Sequence, residues 1–432
     1  MEEINNGIFI TSDIKQNIYV IGDIHGDYQC FIHCLVDLCN VCSITKIYND
    51  VENDYQNREY LSWNELNNSI VIFCGDIIHR KRYSDHVLDD ECSDIYMIEN
   101  IFRLQKEAKE NGGKIILITG NHEIMNIVEP SENMYTSKKN LIKNTTFFSD
   151  KENVNKLIKN SYAWIKLDDI LITHGGLCSN YLDIVDTTIE NNDIIKYVND
   201  RYHEYFKDFN NKEINDNNIG FNLFINYDMD NKKHNMFWCR EWGYANIDCD
   251  KYKEILFKIN CKKMIIAHCP QFLSPDKPKM INFECIDNNI YNLARIDLGM
   301  SRSFDYNKDN NFINNLRHNY NRKMSVLSLI KNKKLYFNES SIITKQLSCL
   351  QYLLLKYGLN KEEWKSKNIN SNWIGFNYID DFIKKITSNT NINTKCNDIS
   401  TLDENTVVMC LLYPLIKDTI TLSSIKTFNK LI

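Results

Sequence analysis

Polar residues that can bind metal ions or move protons recur directly after short apolar runs in this chain. Five such runs, rich in Ile and Val, end in Gly, Asp, His or Asn. The clusters that follow them are Gly22-Asp-Ile-His-Gly-Asp27, Gly75-Asp-Ile-Ile-His-Arg80, Gly120-Asn-His-Glu123, His174-Gly-Gly176 and His268-Cys-Pro-Gln271. Carboxylate, amide and imidazole groups together suit hard to borderline divalent cations. We therefore predict metal ligands at Asp23, His25, Asp76, Asn121, His174 and His268.

This set of ligands is large enough for two divalent ions. A carboxylate can bridge two ions about 3.5–4 Å apart, which together activate water and polarise a phosphoryl oxygen. Asp76 is the predicted bridge, because its strand should lie between the other groups. The predicted chemistry is hydrolysis of a phosphate ester by a hydroxide bound to both ions. Mn²⁺ is the first choice of metal, with Fe or Zn²⁺ as alternatives.

Three further side chains suit the remaining roles in such a reaction. Arg80 follows Asp76 by four residues, and Arg240 lies in Phe237-Trp-Cys-Arg240. Both can bind phosphate oxygens, since a planar guanidinium matches phosphate with paired hydrogen bonds. His122, next to Asn121, is the predicted general acid for the leaving oxygen.

The five apolar runs predict buried strands, because they are short, β-branched and sharply bounded. They are Ile18–Ile21, Ile70–Cys74, Lys114–Ile118, Ile170–Thr173 and Met264–Ala267. Between them, helices are predicted over Tyr28–Leu38 and Asp94–Asn111. Such alternation predicts a largely parallel sheet covered by helices, with ligands at the carboxyl ends of its strands. Residues far apart in the sequence would then meet on one surface.

The order of these motifs resembles that of the calcineurin-like metallophosphoesterases: Gly-Asp-x-His-Gly, Gly-Asp-x-x-x-Arg, Gly-Asn-His-Glu and two later His. Further features are Gly120-Asn-His-Glu-Ile-Met-Asn126, Trp238-Cys-Arg240, Ala267-His-Cys-Pro-Gln271 and Ile296-Asp-Leu-Gly-Met-Ser301. With them, the chain is similar to the Shewanella-like, bacterial-type protein phosphatases of the phosphoprotein phosphatase group. The resemblance covers about residues 15–305.

This resemblance implies an α/β (α+β) fold, in which a β-sandwich is flanked by helices, so that one parallel sheet would be an incomplete description. It also implies that Asp23, His25 and Asp76 hold one ion. Asp76 would share the second ion with Asn121, His174 and His268. The implied substrates are phosphoproteins or phosphopeptides, dephosphorylated at Ser, Thr or Tyr.

One position departs from the family pattern. Relatives have Gly-Asp-x-Val-Asp-Arg-Gly, whereas this chain has His79 in place of the second Asp and Lys81 in place of the last Gly. That Asp normally accepts a hydrogen bond from the acid histidine, and a neutral His79 could accept one without the negative charge. We hypothesise that His122 holds its proton less firmly than in relatives. Activity should then be lost at lower pH on the alkaline side than in a His79→Asp variant.

The chain of 432 residues is long enough for more than one domain. We predict a catalytic domain over residues 1–305, with polar cap insertions near 127–160 and 181–235 and a helix at Ile194–Phe206. Residues 306–432 are predicted to form a mostly helical C-terminal extension, including helices at Ile342–Tyr357 and Asn377–Ile386. This extension could be a docking module for a partner, a lid or an appendage of the core.

Composition bears on partners and location. The net charge of −6 and the lack of a long basic run disfavour nucleic acid as the main partner. The acidic N-terminus does not resemble a secretory signal, and no apolar run approaches the roughly 20 residues that span a bilayer. We therefore expect a soluble cytoplasmic protein without membrane contact, in which most of the 15 cysteines stay reduced.

Two other functions remain open from the sequence. A related branch of phosphoesterases hydrolyses dinucleoside polyphosphates or RNA caps, and it also varies the Asp-Arg-Gly stretch. The second alternative is a non-catalytic protein that uses a metal-filled site as a scaffold.

Overall fold

The computed structural model describes residues 2–10, 16–50, 55–80, 92–131, 135–136, 138–179, 194–207, 209, 223–225, 235–244, 247–271, 281–287, 290–301, 325–331, 334–335 and 342–343. Most of the C-terminal extension, including the predicted helix at Asn377–Ile386, lies outside these residues. Among the described helices, none is long and apolar enough to cross a membrane.

Strands and helices follow one another along the described part of the chain. The strands are β1 (Glu2–Asn5), β2 (Ile8–Ile10), β3 (Ile18–Ile21), β4 (Cys42–Asp50), β5 (Tyr55–Trp63), β6 (Ile70–Phe73), β7 (Lys114–Ile118), β8 (Ser161–Tyr162), β9 (Trp164–Leu167), β10 (Ile170–Thr173), β11 (Lys263–Ile266), β12 (Asn282–Asp287), β13 (Ile290–Arg295), β14 (Val326–Ser328), β15 (Ile330–Lys331), β16 (Lys334–Leu335) and β17 (Ile342–Ile343). The helices are α1 (Tyr28–His33, continued by a π-helical turn over Cys34–Leu38), α2 (Asp94–Glu110), α3 (Asn121–Val128), α4 (Lys138–Ser149), α5 (Lys151–Lys159), α6 (Ile194–Phe206) and α7 (Cys249–Lys258).

Two sheets contain the strands that lead to the predicted site. One has seven strands in the order β1-β2-β9-β10-β11-β13-β12, and the other has six in the order β17-β14-β3-β6-β7-β8. Strands β3, β6, β7 and β8 are parallel, as are β10, β11 and β13. The buried side chains of both sheets belong to one hydrophobic core. The predicted single parallel sheet is therefore corrected to two sheets, and the mixed α/β class is confirmed.

The local sequence explains where the best-defined helix begins and ends. Apolar residues of α2 recur with helical spacing, and Met97, Ile101 and Leu104 are fully buried. After the helix, Gly112 takes a φ of 79°, and Gly113 N donates to the carbonyl of Ala108 at 2.8 Å. This is a Schellman ending, which a glycine adopts without strain. The helix end predicted at this glycine pair is confirmed.

The end of the described chain differs from the sequence-based prediction. Ile342 and Ile343, predicted to begin a helix, instead form β17, which pairs with β14. Strand β14 in turn pairs with β3, the strand that precedes Asp23. Residues Lys323–Gln346 form one compact unit with Met1–Tyr306. The unit that carries the site therefore extends past residue 305.

Two disulfide bonds join four of the cysteines, most of which were expected to stay reduced. Cys178 is bonded to Cys239, and Cys249 to Cys285. The first bond joins the segment after His174 to the segment that carries Arg240. The eight other cysteines in the described part of the chain are free thiols.

Candidate metal centre

The predicted ligands come together where the ends of the two sheets meet. The Nδ1 atom of His174, after β10, donates to the carbonyl of Cys74, after β6, at 2.8 Å. Ala267 N, after β11, donates to the His174 carbonyl at 2.8 Å. The first bond joins loops of the two sheets, and the second joins neighbouring loops of one sheet. All six predicted ligands are buried in this region: Asp23, His25, Asp76, Asn121, His174 and His268.

Asp76 lies at the centre of the cluster. Its Oδ2 atom is 3.4 Å from His174 Nε2 and 3.7 Å from both His25 Nε2 and His122 Nε2. Two groups of side chains could each hold a cation: one contains His25, Asp76 and His122, and the other contains Asp76, His174 and His268. The same carboxylate belongs to both groups.

The two remaining predicted ligands flank this centre. Asp23 Oδ2 is 3.6 Å from His25 Nε2, and Asn121 Oδ1 is 2.9 Å from His174 Nε2. Each predicted ligand is therefore within 4 Å of another ligand, or shares a candidate cation group with it. No sequence-predicted ligand is left outside the cluster.

The backbone around these ligands adopts conformations that are uncommon for residues other than glycine. The φ angle is 46° at His25, 51° at Asp76, 74° at His79 and 63° at His268. Such left-handed conformations carry a cost and concentrate at functional sites. Their clustering at this centre indicates that the surrounding structure is built to hold these side chains.

Glycines allow the loops after β6 and β7 to approach closely. A Cβ atom on Gly120 would lie 2.2 Å from Asp76 Oδ1, and one on Gly75 would lie 2.6 Å from the Cα of Gly120. Gly75 also has a φ of 91°. Any larger residue at either position would push the Asp76 and Asn121 loops apart. This explains why Asp76 and Asn121 each follow a glycine.

Hydrogen bonds to backbone carbonyls orient two of the imidazoles. His174 Nδ1 donates to Cys74, and His25 Nδ1 lies 3.4 Å from the carbonyl of Ile78. A carbonyl can only accept, so these contacts favour a proton on Nδ1 and leave Nε2 facing the carboxylates, where a metal ion would take the place of a second proton. This is the arrangement that metal-binding histidines commonly show.

The charge balance of the centre fits bound cations. Burial and the neighbouring carboxylates of Asp297 and Asp76 raise the pKa of Asp23 well above its usual range. Burial raises the pKa of Asp297 to about 6. Burial also raises the pKa of Asp76, but nearby histidines, His174 foremost, outweigh that effect and hold it well below its usual range. Buried carboxylates this close together are costly unless positive charge compensates them.

His268 shows the same need for a cation. Its Nε2 atom is buried and has no hydrogen-bond partner among the described residues. Burial, followed by the charges of His174 and Arg240, holds the pKa of His268 well below its usual range, so the ring stays neutral. A neutral imidazole with an unused nitrogen beside a carboxylate suits a metal ligand. The residues present therefore fit a divalent ion.

The two predicted phosphate-binding arginines have different environments. Arg240 is exposed, and its NH1 atom donates to the Tyr244 hydroxyl at 3.3 Å. Arg80 is fully buried, and its NH1 atom donates to Asp27 Oδ2 at 3.0 Å and to Ser301 Oγ at 2.9 Å. The charge of Arg80 is thus paired inside the protein, and Arg240 lies at the surface.

His122 and His79 contact each other next to the metal ligands. Their Nδ1 atoms are 2.6 Å apart. The ring of Tyr135, in the predicted insertion at 127–160, lies 4.9 Å from that of His122. At 8% exposure, His122 is more accessible than His79, which is fully buried. Of these two rings, that of His122 therefore lies nearer to solvent, with an insertion residue beside it.

Sequence reasoning assigned no role to three buried residues of this region. Glu123 accepts hydrogen bonds from the backbone of both ligand loops, Asp297 interacts with Asp23, and Asn126 contacts His79. All three lie within motifs that carry the family resemblance. Their place within these motifs was the sign in the sequence that they could have a role. Their interaction partners are known only from the structure.

The chain is similar to known proteins in sequence and in fold. The chain is 25% identical over 336 residues to Shewanella-like protein phosphatase 1 of Plasmodium berghei (strain Anka), covering 74% of this chain and 77% of that protein. Similar solved structures include a cold-active protein tyrosine phosphatase at 1.1 Å and the corresponding enzyme of a psychrophilic Shewanella species. Both are 15% identical with a TM-score of 0.49, covering 76% of this chain and 76% and 78% of theirs.

The family comparison covers the region in which most of the ligands lie. The model of the calcineurin-like phosphoesterases matches residues 16–256, more than half of the chain. This range includes Asp23, His25, Asp76, Asn121 and His174. The resemblance predicted from the motifs is confirmed, and with it the prediction of a hydrolase. The chain belongs to the calcineurin-like phosphoesterase family.

Proposed function

We propose that this chain is a metal-dependent phosphatase that hydrolyses phosphomonoesters of phosphoproteins at a centre with two metal ions. The observation that carries the proposal is the position of Asp76, whose carboxylate belongs to both groups that could hold a cation. Similarity to a protein phosphatase supports the choice of a phosphoprotein substrate.

The predicted ligands would divide into two sets that share Asp76. Asp23, His25 and Asp76 would hold one ion. The second ion would be held by Asp76, Asn121, His174 and His268. When bound, two such ions lower the pKa of water and polarise a phosphoryl oxygen. Mn²⁺ is the proposed metal, and Fe and Zn²⁺ would also suit this mixture of oxygen and nitrogen ligands.

Arg240 would bind the phosphate group from the solvent side. The Trp238 ring lies 5.7 Å from that of His268, which brings the Arg240 segment against the metal centre. An exposed guanidinium can turn towards non-bridging phosphate oxygens and match two of them at once. Arg80 would assist from inside, held by Asp27 and Ser301, so that its orientation is fixed before substrate binds.

His122 would act on the leaving oxygen. Its Nε2 atom is 3.7 Å from Asp76 Oδ2, so this nitrogen faces the centre while Nδ1 contacts His79. A donor at this nitrogen can stabilise the charge that develops as the P–O bond breaks. The arrangement would need no covalent phosphoenzyme, because water at the centre would attack phosphorus directly.

The test is phosphate release by the protein purified with Mn²⁺, on phosphotyrosine peptides, phosphoserine/threonine peptides and a dinucleoside polyphosphate. We expect turnover of a phosphopeptide, lost almost completely in Asp76→Asn, since one acceptor oxygen of the shared carboxylate is removed. Turnover of the dinucleotide alone would replace this proposal with polyphosphate hydrolysis. If nothing is turned over although Mn²⁺ binds, a non-catalytic metal protein is the better description.

A further inference from the structure

A chain of three buried side chains runs from α3 to the substrate side of the centre. Asn126 and His122 lie four residues apart on α3, one helical turn from each other. The His79 ring lies between them: its Nε2 contacts Asn126 Nδ2, and its Nδ1 is 2.6 Å from His122 Nδ1. His79 and Asn126 are fully buried. These contacts fix which nitrogen of each ring carries a proton.

The amide of Asn126 sets the direction of the hydrogen bonds along this series of side chains. Its nitrogen has two hydrogens and two neighbours, His79 Nε2 and the His122 carbonyl, the latter at 3.0 Å. If the amide were reversed, its oxygen would face that carbonyl oxygen, and two acceptors would repel. The nitrogen therefore donates to both neighbours, and His79 Nε2 accepts.

The tautomers of the two histidines follow in order. A neutral imidazole has one N–H, so His79, which accepts at Nε2, carries its proton on Nδ1. That proton is donated to His122 Nδ1, which must accept and therefore has no proton. The proton of His122 is left on Nε2, the nitrogen that faces Asp76. The hydrogen bond between the two rings thus runs from His79 to His122. The sequence analysis considered the reverse direction, in which His79 accepts from His122.

We propose that Asn126 is a positioning residue that acts through His79 to keep the proton of neutral His122 on Nε2. A protonated Nε2 cannot bind a metal, although His122 lies within reach of a cation held by His25 and Asp76. The network thus makes His122 a hydrogen-bond donor rather than a ligand. Its action on a leaving oxygen rests on the proposed function, whereas the tautomer itself rests only on the contacts.

Ring ¹⁵N resonances of His122 report the tautomer directly. We would label the full-length protein with ¹⁵N-histidine, load it with diamagnetic Zn²⁺ and assign His122 by its loss in His122→Gln. The expected spectrum has a protonated Nε2 and an unprotonated Nδ1. A proton on Nδ1, or on both nitrogens, would overturn the proposal.

Two variants assign the effect to Asn126. In Asn126→Asp, the carboxylate accepts from His79 Nε2, so the direction reverses and the His122 proton should move to Nδ1. In Asn126→Ala, the direction is no longer set, and the two ring resonances should move towards each other. Should the aspartate variant fail to fold, the alanine variant decides; a wild-type His122 spectrum in either one rules out a positioning role.

Asn199→Ala is the matched control. Asn199 is a fully buried amide whose Oδ1 accepts from Ala163 N and Trp164 N, and it lies on α6. Its loss should leave the His122 spectrum unchanged. Because the spectra are recorded without substrate, they are independent of turnover. A protein that shows the expected tautomer but hydrolyses no phosphomonoester would contradict the proposed function alone.

Discussion

At the scale of single residues, His122 has a neutral hydrogen-bond partner, His79, where relatives have a carboxylate. A carboxylate at position 79 could accept from His122 Nδ1 and would favour the doubly protonated, charged ring. Such a ring is a stronger acid than a neutral imidazole. The difference matters most for substrates whose leaving oxygen needs a proton.

His79→Asp should therefore change the preference between leaving groups. A phenol leaves readily, with a pKa near 10 in water, whereas an aliphatic alcohol is a much weaker acid. We expect the kcat ratio of alkyl to aryl phosphate to rise by about tenfold or more, within the range of general acid catalysis. Turnover of phosphoserine and phosphotyrosine peptides by the same preparation measures this ratio, and the alkaline limb of the pH–rate profile should extend upwards.

His79→Asn provides the control for size and for the loss of the imidazole. Asparagine fills less space, as aspartate does, but adds no charge. A similar rise in the ratio in both variants would show that charge is not the cause, and no rise in His79→Asp would contradict the leaving-group argument itself.

At the scale of elements, Glu123 fastens together the turns that follow β6 and β7. One carboxylate oxygen accepts from Ile77 N at 2.8 Å, and the other accepts from Asp76 N and Gly120 N, each at 2.9 Å. Burial, followed by the nearby charge of Asp76, raises the pKa of Glu123 to about 7. This residue is kept inside because two ligand loops use its oxygens.

Glu123→Gln should weaken both the fold and metal binding. The amide nitrogen would face backbone N–H donors, and leaving such groups unsatisfied costs about 1–3 kcal/mol. We expect a lower free energy of unfolding in urea and a weaker Mn²⁺ affinity by titration calorimetry.

Glu107→Gln separates these two effects. Glu107 also accepts from a backbone donor, Trp63 N at 2.9 Å, but it lies on α2 away from the ligands. It should lower stability without changing Mn²⁺ affinity. If Glu123→Gln behaves in the same way, Glu123 supports the fold and not the metal site.

The elements also mark what the sequence could predict. Short β-branched runs, each followed within two residues by Gly, Asp, His or Asn, were sufficient to find β3, β6, β7, β10 and β11 within one residue of their ends, because burial and turn chemistry are local properties. Their division between two sheets depends on long-range pairing, such as that of β14 with β3, which no local pattern encodes. The ligands were found from their types and positions. Partners such as Asn126 were not, because a hydrogen-bonding side chain has no sequence period.

At the scale of the whole molecule, we expect the metal centre without its cations to oppose the stability of the protein that contains it. Asp23, Asp76 and Asp297 are all buried, and the pKa of Asp23 is raised by burial and by the other two carboxylates. Without cations, this arrangement costs free energy that the hydrophobic core of both sheets must offset. Residues kept for function commonly reduce stability in this way.

Metal ions should therefore contribute to the free energy of unfolding as ligands of the folded state. At a hundredfold excess over the dissociation constant, one bound ion contributes about 2.7 kcal/mol. Asp23→Asn retains the size of the side chain and removes one charge. We expect this variant to be more stable than the wild type in EDTA and to gain less stability from Mn²⁺, as measured by urea unfolding in both conditions.

Asp37→Asn is the control variant, because it removes a carboxylate outside the metal centre. Asp37 is a carboxylate paired with His33 at 2.9 Å, outside the ligand cluster. Its loss should not stabilise the protein in EDTA, and it should leave the Mn²⁺ contribution unchanged, because a favourable pair is removed and no crowded carboxylates are relieved. If Asp23→Asn is less stable than the wild type in EDTA, hydrogen bonds of Asp23 outweigh the repulsion, and the centre does not oppose folding. A gain in EDTA that is reversed by Mn²⁺ would mean that the fold tolerates this cluster because cations bind it.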